Sequence, residues 1–243
     1  MTVAMATGTA FAKPSIVFVS AHPDDSEGFA ATAFLLMKDY DLHVVDVTRG
    51  ENGLGLTGRL DGSTERIRMD EERAACALLG ATPHFLHDVN GAAQMNCTSV
   101  DALIHILTNL NPVAVFTHWP IDAHADHVQA AAVTRHALMR TTLRPEQYFF
   151  EVLPSQTHNW HPVYSVDVSA TFPRKVAFLR KYACQNEGGF LVKSNERRAA
   201  LRGGQRVPPV SFAETFATFS GQPIRGGVLE KLVETAIVRP GKE

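Results

Sequence analysis

Short apolar runs alternate with longer helical patterns along most of this 243-residue chain. Such alternation is typical of a mostly parallel sheet whose strands are joined by crossover helices. The apolar runs predict six strands, at residues 15–20, 42–48, 84–86, 113–117, 148–153 and 164–168. The helical patterns cover residues 27–39, 65–79, 99–110, 127–139 and 172–184. We therefore expect an α/β fold built on a mostly parallel central sheet.

The C-terminal part of the chain is less regular. Residues 202–209, RGGQRVPP, predict a loop, and Phe212, Phe216 and Phe219 predict a short packed helix after it. No repeat and no linker rich in glycine and serine divides the sequence. We expect a single Rossmann-like domain with three layers, α/β/α, over residues 14–243, preceded by a leader or disordered segment at 1–13.

The leader ends in Ala10-Phe11-Ala12, which is similar to the small-residue cleavage site of a secretory signal. It lacks the basic start and the full apolar region of such a signal. Two interpretations stay open: a disordered leader on a cytoplasmic protein, and a shortened export signal.

Charge and cysteine content narrow the classes of function. The 23 basic residues are balanced by 25 acidic ones without a basic block, which gives no electrostatic reason to bind nucleic acid. No apolar stretch approaches the roughly 20 residues of a transmembrane helix. The three scattered cysteines, Cys76, Cys97 and Cys184, indicate reduced core thiols, neither a disulfide framework nor a zinc knuckle. We expect a small-molecule partner, with no nucleic acid and no membrane insertion, and leave a homo-oligomer open.

Polar residues gather where three predicted strands end. HPDD at 22–25 follows the first strand, TRGEN at 48–52 ends the second, and THWPIDAHADH at 117–127 follows the strand at 113–117. Ligands in open α/β sheets bind beyond the carboxyl ends of the strands, so we expect these segments to meet at one edge. Residues 49–63 carry five glycines but lack the order of a phosphate-binding loop, and we interpret them as a mobile rim.

The HPDD cluster combines an imidazole with two adjacent carboxylates. Asp24, Asp25 or Ser26 could cap the helix predicted to begin near residue 27. Capping does not account for His22, nor for Pro23, which fixes φ between the imidazole and the acids. Adjacent residues in a turn point in different directions. One aspartate can therefore bind a metal while its neighbour stands over the open coordination position as a base.

The HADH cluster places His124 and His127 three residues apart, on one face of the first turn of a predicted helix. Such a pair is a common coincidence on helix surfaces, but its position opposite the HPDD turn favours a metal site. Asp126 between them is a candidate to orient one imidazole by accepting its other N–H. For His118 and Asp122 in the same loop, a surface role and a functional role both stay open.

Two imidazoles and one carboxylate that leave a position for water form the ligand pattern of catalytic zinc. Zinc lowers the pKa of water from about 15.7 to roughly 7, which makes hydroxide available at neutral pH. The predicted cofactor is one Zn²⁺ per chain, with other divalent metals left open. The predicted chemistry is hydrolysis.

The two motifs, AHPDDSE at 21–27 and HADH at 124–127, resemble those of the zinc-dependent de-N-acetylases of the LmbE/PIG-L family. The resemblance covers most of residues 15–220. It extends through VTRGENG at 47–53, ERIRMDEERAACALLGA at 65–81, YFFE at 148–151 and RKVAFLRKYACQ at 174–185. It implies a hydrolase that removes an N-acetyl group from an amino sugar or an N-acetylglucosamine-containing conjugate, releasing acetate and a free amine.

The resemblance also implies roles for individual residues. The zinc ligands that it implies are His22, Asp25 and His127. Asp24 would be the general base on the attacking water, while His124, as an imidazolium, would stabilise the oxyanion and protonate the leaving amine. Arg68 matches an arginine that contacts substrate hydroxyls in the family. The alternative for Arg68 is a helix-face cation paired with Glu71 or Glu72.

The sequence departs from the family pattern at two places. The glycine pair and threonine that often follow the first motif are replaced by Gly28-Phe29-Ala30-Ala31-Thr32, which predicts a bulkier wall beside the metal. Where several relatives have a histidine before a Ser-Gln pair, this chain has Tyr182-Ala183-Cys184-Gln185. Whether Tyr182 takes the place of a substrate contact is a question for the structure.

Two other functions stay open from the sequence. One is an amidase acting on another acylated small molecule. The second is a non-catalytic module that holds a metal and binds a glycan, although a pure binder has no need of a base such as Asp24. A two-metal phosphatase or nuclease would need more carboxylates than the sequence offers.

Overall fold

The central sheet of the protein has seven strands in the order β3-β2-β1-β4-β5-β7-β6. The structure, a computed structural model, describes residues 12–53 and 63–233. The strands are β1 (Ser15–Ser20), β2 (Asp41–Thr48), β3 (Thr82–Asp88), β4 (Ala114–His118), β5 (Glu146–Phe150), β6 (Tyr164–Asp167) and β7 (Ala213–Thr218). Strands β1 to β5 run parallel, whereas β7 pairs antiparallel with β5 and β6. The mostly parallel sheet confirms the predicted fold class.

Helices cover both faces of this sheet. They are α1 (Ala30–Leu36), α2 (Ser63–Leu79), α3 (Cys97–Leu110), α4 (Ala125–Met139), α5 (Phe172–Leu179), α6 (Phe190–Gly204) and α7 (Glu230–Val233). Ile16 and Phe18 of β1 pack with α1, α2, α5 and α6, whereas Val17 and Val19 pack with α3 and α4. Because β1 is buried on both faces, its sequence is a continuous apolar run.

The prediction for the C-terminal part is wrong in two respects. The stretch predicted as a short helix after the loop is the strand β7, which contains Phe216, lies between Phe212 and Phe219, and has all six of its residues buried. Because β7 is buried on both faces and includes Glu214, Thr215 and Thr218, its sequence shows neither an alternating period nor a continuous apolar run like that of β1. Residues 202–204 of the predicted loop are the last residues of α6. The sequence analysis missed α6 because its buried face includes Asn195 and Arg198, so no apolar stripe marks it.

Two predicted helices are shorter than expected. The helix predicted at 27–39 is a 3-10 helix, Asp25–Gly28, followed by α1. The helix predicted at 172–184 ends at Leu179, and a separate 3-10 helix follows at Ala183–Gln185. Both 3-10 helices lie at the carboxyl edge of the sheet and contribute residues to the cavity described below.

Three expectations fall wholly or partly outside the described residues. Residues 1–11 belong to the leader and residues 54–62 to the glycine-rich rim, so the two interpretations of the leader and the mobility of the rim stay predictions. The extent of the domain over 14–243 also stays a prediction. Within the described ranges, no helix combines the length and apolar character needed to cross a membrane.

Candidate active site

The turn after β1 carries His22, Asp24 and Asp25. His22 and Asp25 are buried, and Asp25 Oδ2 accepts a hydrogen bond from the His22 backbone N–H at 2.8 Å. The same oxygen lies 3.2 Å from His22 Nδ1. Asp24 has a φ of 115°, in the left-handed region, and its side chain caps no helix. The capping interpretation is therefore wrong for Asp24, which the fold holds in the kind of strained conformation common at active sites.

The start of α4 brings the second histidine cluster to this turn. His127 Nε2 lies 3.4 Å from Asp25 Oδ1. One ring nitrogen from each of His22, His124 and His127 lies within 4.8 Å of the others. The three predicted ligands, His22 and Asp25 from the turn after β1 and His127 from the first turn of α4, lie together in the fold because Asp25 contacts both imidazoles. Their role as ligands stays a prediction.

Two carboxylates orient the two imidazoles of the predicted ligand set. Asp126 Oδ2 lies 2.9 Å from His22 Nε2, and Asp126 also accepts backbone hydrogen bonds from Gly91 and Ala93. Asp122 Oδ1 lies 3.0 Å from His127 Nδ1. A carboxylate on one ring nitrogen fixes the tautomer and leaves the other nitrogen as an acceptor. This donor set fits a metal between His22 Nδ1, His127 Nε2 and the carboxylate of Asp25.

The surface interpretation of His118 and Asp122 is wrong. His118 is 1% exposed, and its Nε2 accepts the backbone N–H of Ala21 at 3.0 Å while lying 3.2 Å from Asp25 Oδ2. Burial lowers the pKa of His118 to about 4, so its ring is neutral. Although Asp25, His118 and His127 form a second possible metal group, the Nε2 lone pair of His118 is already engaged. The two groups share His127 and describe one site.

Arg68 of α2 contacts the predicted general base directly. Its side chain is buried, and Nη2 donates a hydrogen bond to Asp24 Oδ1 at 2.6 Å and another to the carbonyl oxygen of Pro23. Nη1 donates to the carbonyl oxygen of Gly53 at 3.2 Å. Burial raises the pKa of Asp24 to about 7, while the positive charge of Arg68 acts to lower it. The predicted alternative, pairing with Glu71 or Glu72, is wrong, because these carboxylates bond to Cys184 and Tyr182 respectively.

A buried charge cluster supports the same turn from the other side. Glu27 Oε1 lies 3.2 Å from Arg198 Nη1 of α6, and the Glu27 carbonyl oxygen accepts from Arg198 Nη2 at 2.8 Å and from Lys175. Lys175 Nζ also lies 2.6 Å from Glu214 Oε1. Glu214 accepts the backbone N–H groups of Ala31 and Thr32 at the start of α1. The negative charges of the two glutamates are matched by the positive charges of Arg198 and Lys175. Together these four side chains hold the 3-10 helix that carries Asp25 in place.

A cavity of about 710 Å³ opens over these residues. The turn after β1, Arg68 of α2 and the two histidines at the start of α4 line it. Tyr182 is not a substrate contact, because it is 1% exposed and donates to Glu72 at 2.8 Å; Cys184 and Gln185 line the cavity instead. Phe29 does not thicken the cavity wall as predicted, since its buried ring stacks on Phe18.

Solved structures share this fold across most of the chain. The conserved protein TT1542 from Thermus thermophilus superposes with a TM-score of 0.72 at 23% identity, covering 87% of this chain and 97% of that one. The N,N'-diacetylchitobiose deacetylase from Pyrococcus horikoshii gives a TM-score of 0.70 at 20% identity, covering 85% and 84%. The 4-carboxy-2-hydroxymuconate hydratase of Pseudomonas putida KT2440 gives 0.73 at 23% identity, covering 85% and 96%. A hydratase among them shows that the fold alone does not fix the reaction.

Sequence comparison identifies the family to which the chain belongs. A 1D-myo-inositol 2-acetamido-2-deoxy-alpha-D-glucopyranoside deacetylase from Mycobacterium sp. (strain KMS) is 27% identical, with 86% of this chain and 85% of that protein aligned. The family model for PIG-L, GlcNAc-PI de-N-acetylase, matches residues 17–138, which span both histidine motifs and half of the chain. Because this match covers half of the chain, the chain belongs to the PIG-L family of de-N-acetylases.

Proposed function

We propose that this protein is a zinc-dependent hydrolase that removes the N-acetyl group from an amino sugar or an N-acetylglucosamine-containing conjugate. The observation that carries the proposal is the position of Asp24. It is paired with Arg68 and adjacent to Asp25, which contacts both His22 and His127, and all five residues line one cavity. The names of the curated relatives and of the family support the same reaction. A site for binding alone would not need a carboxylate in that place.

The metal would be held by His22, Asp25 and His127. When bound, zinc would lower the pKa of water and polarise the amide carbonyl. Asp126 bonds to Nε2 of His22 and Asp122 to Nδ1 of His127, which would orient both rings toward the metal.

Asp24 takes a proton from the attacking water. Its carboxylate is held by Arg68 through a hydrogen bond of 2.6 Å, which limits its movement. A positioned base typically raises the reaction rate by about 10²- to 10⁴-fold, and loss of the Asp24 carboxylate would remove this contribution.

His124 stabilises the oxyanion. Its Nδ1 accepts the backbone N–H of Asp126 at 3.3 Å, which leaves the ring proton on Nε2. Burial and the neighbouring imidazoles lower the pKa of His124. The structure therefore favours a neutral ring that donates from Nε2 over the imidazolium that the resemblance implies. The proton taken by Asp24 is then the one available to the leaving amine.

The test is acetate release from N-acetylglucosamine, N,N'-diacetylchitobiose and a panel of small amides, with and without a chelator, together with metal analysis of the protein. Chelator-sensitive release from the sugars, with zinc near one per chain, is the expected result. Release only from the simple amides would favour the amidase alternative. Sugar binding without any release would favour the glycan-binding module.

A further inference from the structure

A second cavity, of about 230 Å³, lies between α4 and the strands β4 and β5, and we call it the α4 cavity. Its apolar lining includes Val115 of β4, Phe149 of β5, and Val128, Ala131 and Leu138 of α4. Among the described residues, none lines both this cavity and the one over the predicted metal ligands. The α4 cavity is therefore a separate space that the proposed reaction does not use.

The polar side chains inside the α4 cavity are already bonded to other protein groups. The Thr134 hydroxyl donates to the Ala130 carbonyl oxygen at 2.8 Å and lies 3.2 Å from the Thr117 hydroxyl. The Tyr148 hydroxyl donates to Glu146 Oε2 at 2.7 Å. Cavities that offer water few hydrogen-bond partners stay dry and take apolar ligands, and a volume of about 150 Å³ is enough for benzene. The interior thus suits an alkyl chain.

The mouth of the α4 cavity carries a cation. Arg135 and Gln147 line both this cavity and a neighbouring surface groove, so they lie where the two spaces meet. Both residues are exposed. The Arg135 Cζ atom lies 4.0 Å from the centre of the Phe219 ring, and within residues 12–53 and 63–233 no carboxylate pairs with its guanidinium group. Its charge is therefore available to a ligand at the mouth.

The neighbouring groove supplies little free negative charge. Its charged lining residues are Arg135, Arg144 and Glu146. Glu146 Oε2 already accepts hydrogen bonds from the Tyr148 hydroxyl and from the backbone N–H of Val228. The mouth is therefore complementary to an anion, and a guanidinium group matches a carboxylate in both charge and shape.

We propose that the α4 cavity binds a medium-chain apolar carboxylate, with its chain in the cavity and its carboxylate on Arg135. The chain leaves water for a space lined by Val128, Ala131 and Leu138. The charged group stays at the exposed mouth, where it keeps part of its hydration and avoids the cost of burying a charge. The site lies outside the proposed reaction and does not depend on it.

Calorimetric titration of the native protein with butanoate, hexanoate and octanoate tests the position of the chain. We expect the dissociation constant to fall about fourfold for each CH₂ group that enters the cavity. In Ala131→Leu, whose larger side chain takes up space in the cavity, this dependence on chain length should be lost. Equal affinities of the native protein for the three acids would overturn the proposal.

Arg135→Met tests the role of the charge, with Arg140→Met as its matched control. Arg140 follows α4, pairs with Asp101 and is not among the residues that line the cavity. Arg135→Met keeps the contacts to the chain, so it should bind octanoate about fivefold more weakly than the native protein, and no better than 1-octanol. Arg140→Met should keep the native affinity.

Two other results would place the ligand elsewhere or name another occupant. Octanoate that binds Arg135→Met as tightly as the native protein would lie at another site, such as the predicted metal, and would overturn the proposal even if Ala131→Leu failed to fold. Sedimentation at the concentrations of the titration checks for a second copy of the chain. A dimer that Arg135→Met disrupts, without octanoate binding to the native protein, would assign the mouth to that copy and overturn the proposal.

Discussion

Arg68 Nη2 and Asp24 Oδ1 lie 2.6 Å apart, and the same guanidinium group bonds to the Pro23 carbonyl oxygen. One side chain of α2 therefore holds two consecutive residues of the turn after β1. Because Asp24 has a strained backbone conformation, this double contact helps to keep it there. Arg68 thus fixes the carboxylate of the predicted base by a hydrogen bond, and its positive charge acts to lower the pKa of that carboxylate.

Replacing Asp24 tests the base without removing any predicted ligand. We expect Asp24→Asn to lose about 10²- to 10⁴-fold in deacetylation rate, because the amide cannot take the proton from water. Zinc content should stay near that of the native protein, since the three predicted ligands are intact. Acetate release and metal analysis on the same preparation measure both quantities. A variant that keeps the native rate would contradict the assignment of the base.

Replacing Arg68 separates positioning from substrate binding. We expect Arg68→Met to lower kcat by about 10²-fold, because a misplaced catalytic group costs this much, with zinc content retained. Arg66→Met is the control, since Arg66 is exposed on the same helix. A rise in KM with kcat unchanged would instead support the substrate contact that the resemblance implies.

The sequence predicts the parts of the fold that carry strong local signals. The apolar run of β1 and the two histidine motifs indicate a parallel sheet with a polar edge, and His22, Asp25 and His127 do lie together there. These features can be predicted because a few consecutive residues encode each of them. They are the continuous apolar run of β1 and the histidine and aspartates of the turn that follows it.

The sequence fails where partners lie far apart along the chain. The contact between Arg68 and Asp24 spans 44 positions, and the spacing of charges on α2 favoured nearer carboxylates equally. The helix α6 was missed because Asn195 and Arg198, which face Glu27, occupy its buried side. That these polar residues are buried follows only from contacts between distant parts of the chain. The hydrophobic periodicity of the sequence does not indicate it.

The carboxylates of Asp126 and Asp122, which bond to the imidazoles of His22 and His127, are expected to strengthen metal binding. Asp126→Asn should weaken zinc binding about 10- to 100-fold, because the amide orients His22 less firmly and adds less to its basicity. Asp122→Asn should act in the same way through His127. Competition against a chromophoric chelator measures the affinity. Asp101→Asn, at an exposed position on α3, is the control, and equal affinities in all three variants would exclude the orienting role.

The buried charge cluster of Glu27, Arg198, Lys175 and Glu214 is expected to contribute to the free energy of unfolding. Arg198→Met leaves the Glu27 carboxylate without its cation in a buried site, which typically costs about 3–5 kcal/mol in the free energy of unfolding. Arg140→Met, which breaks an exposed pair with Asp101, should change it by less than about 1 kcal/mol. Denaturant unfolding measures both. A loss in Arg198→Met no larger than in Arg140→Met would show that the cluster does not hold the fold.

A histidine pair away from the cavity predicts how stability changes with pH. His43 Nδ1 of β2 lies 3.2 Å from His84 Nε2 of β3. Burial lowers the pKa of both from the ordinary value of 6.5, and the charge of His43 lowers that of His84 further. As the pH falls below 6.5, the unfolded chain therefore takes up protons before the folded protein does, so the free energy of unfolding decreases.

Substituting both histidines should flatten this dependence. We expect His43→Gln with His84→Gln to show a shallower decrease in the free energy of unfolding below pH 6.5, because neither residue then binds a proton in the unfolded chain. His105→Gln, at an exposed position on α3, should keep the native slope. Urea unfolding at a series of pH values, with the metal removed, isolates this effect from the active-site histidines. If the double variant keeps the native slope, the acid sensitivity has its origin elsewhere in the protein.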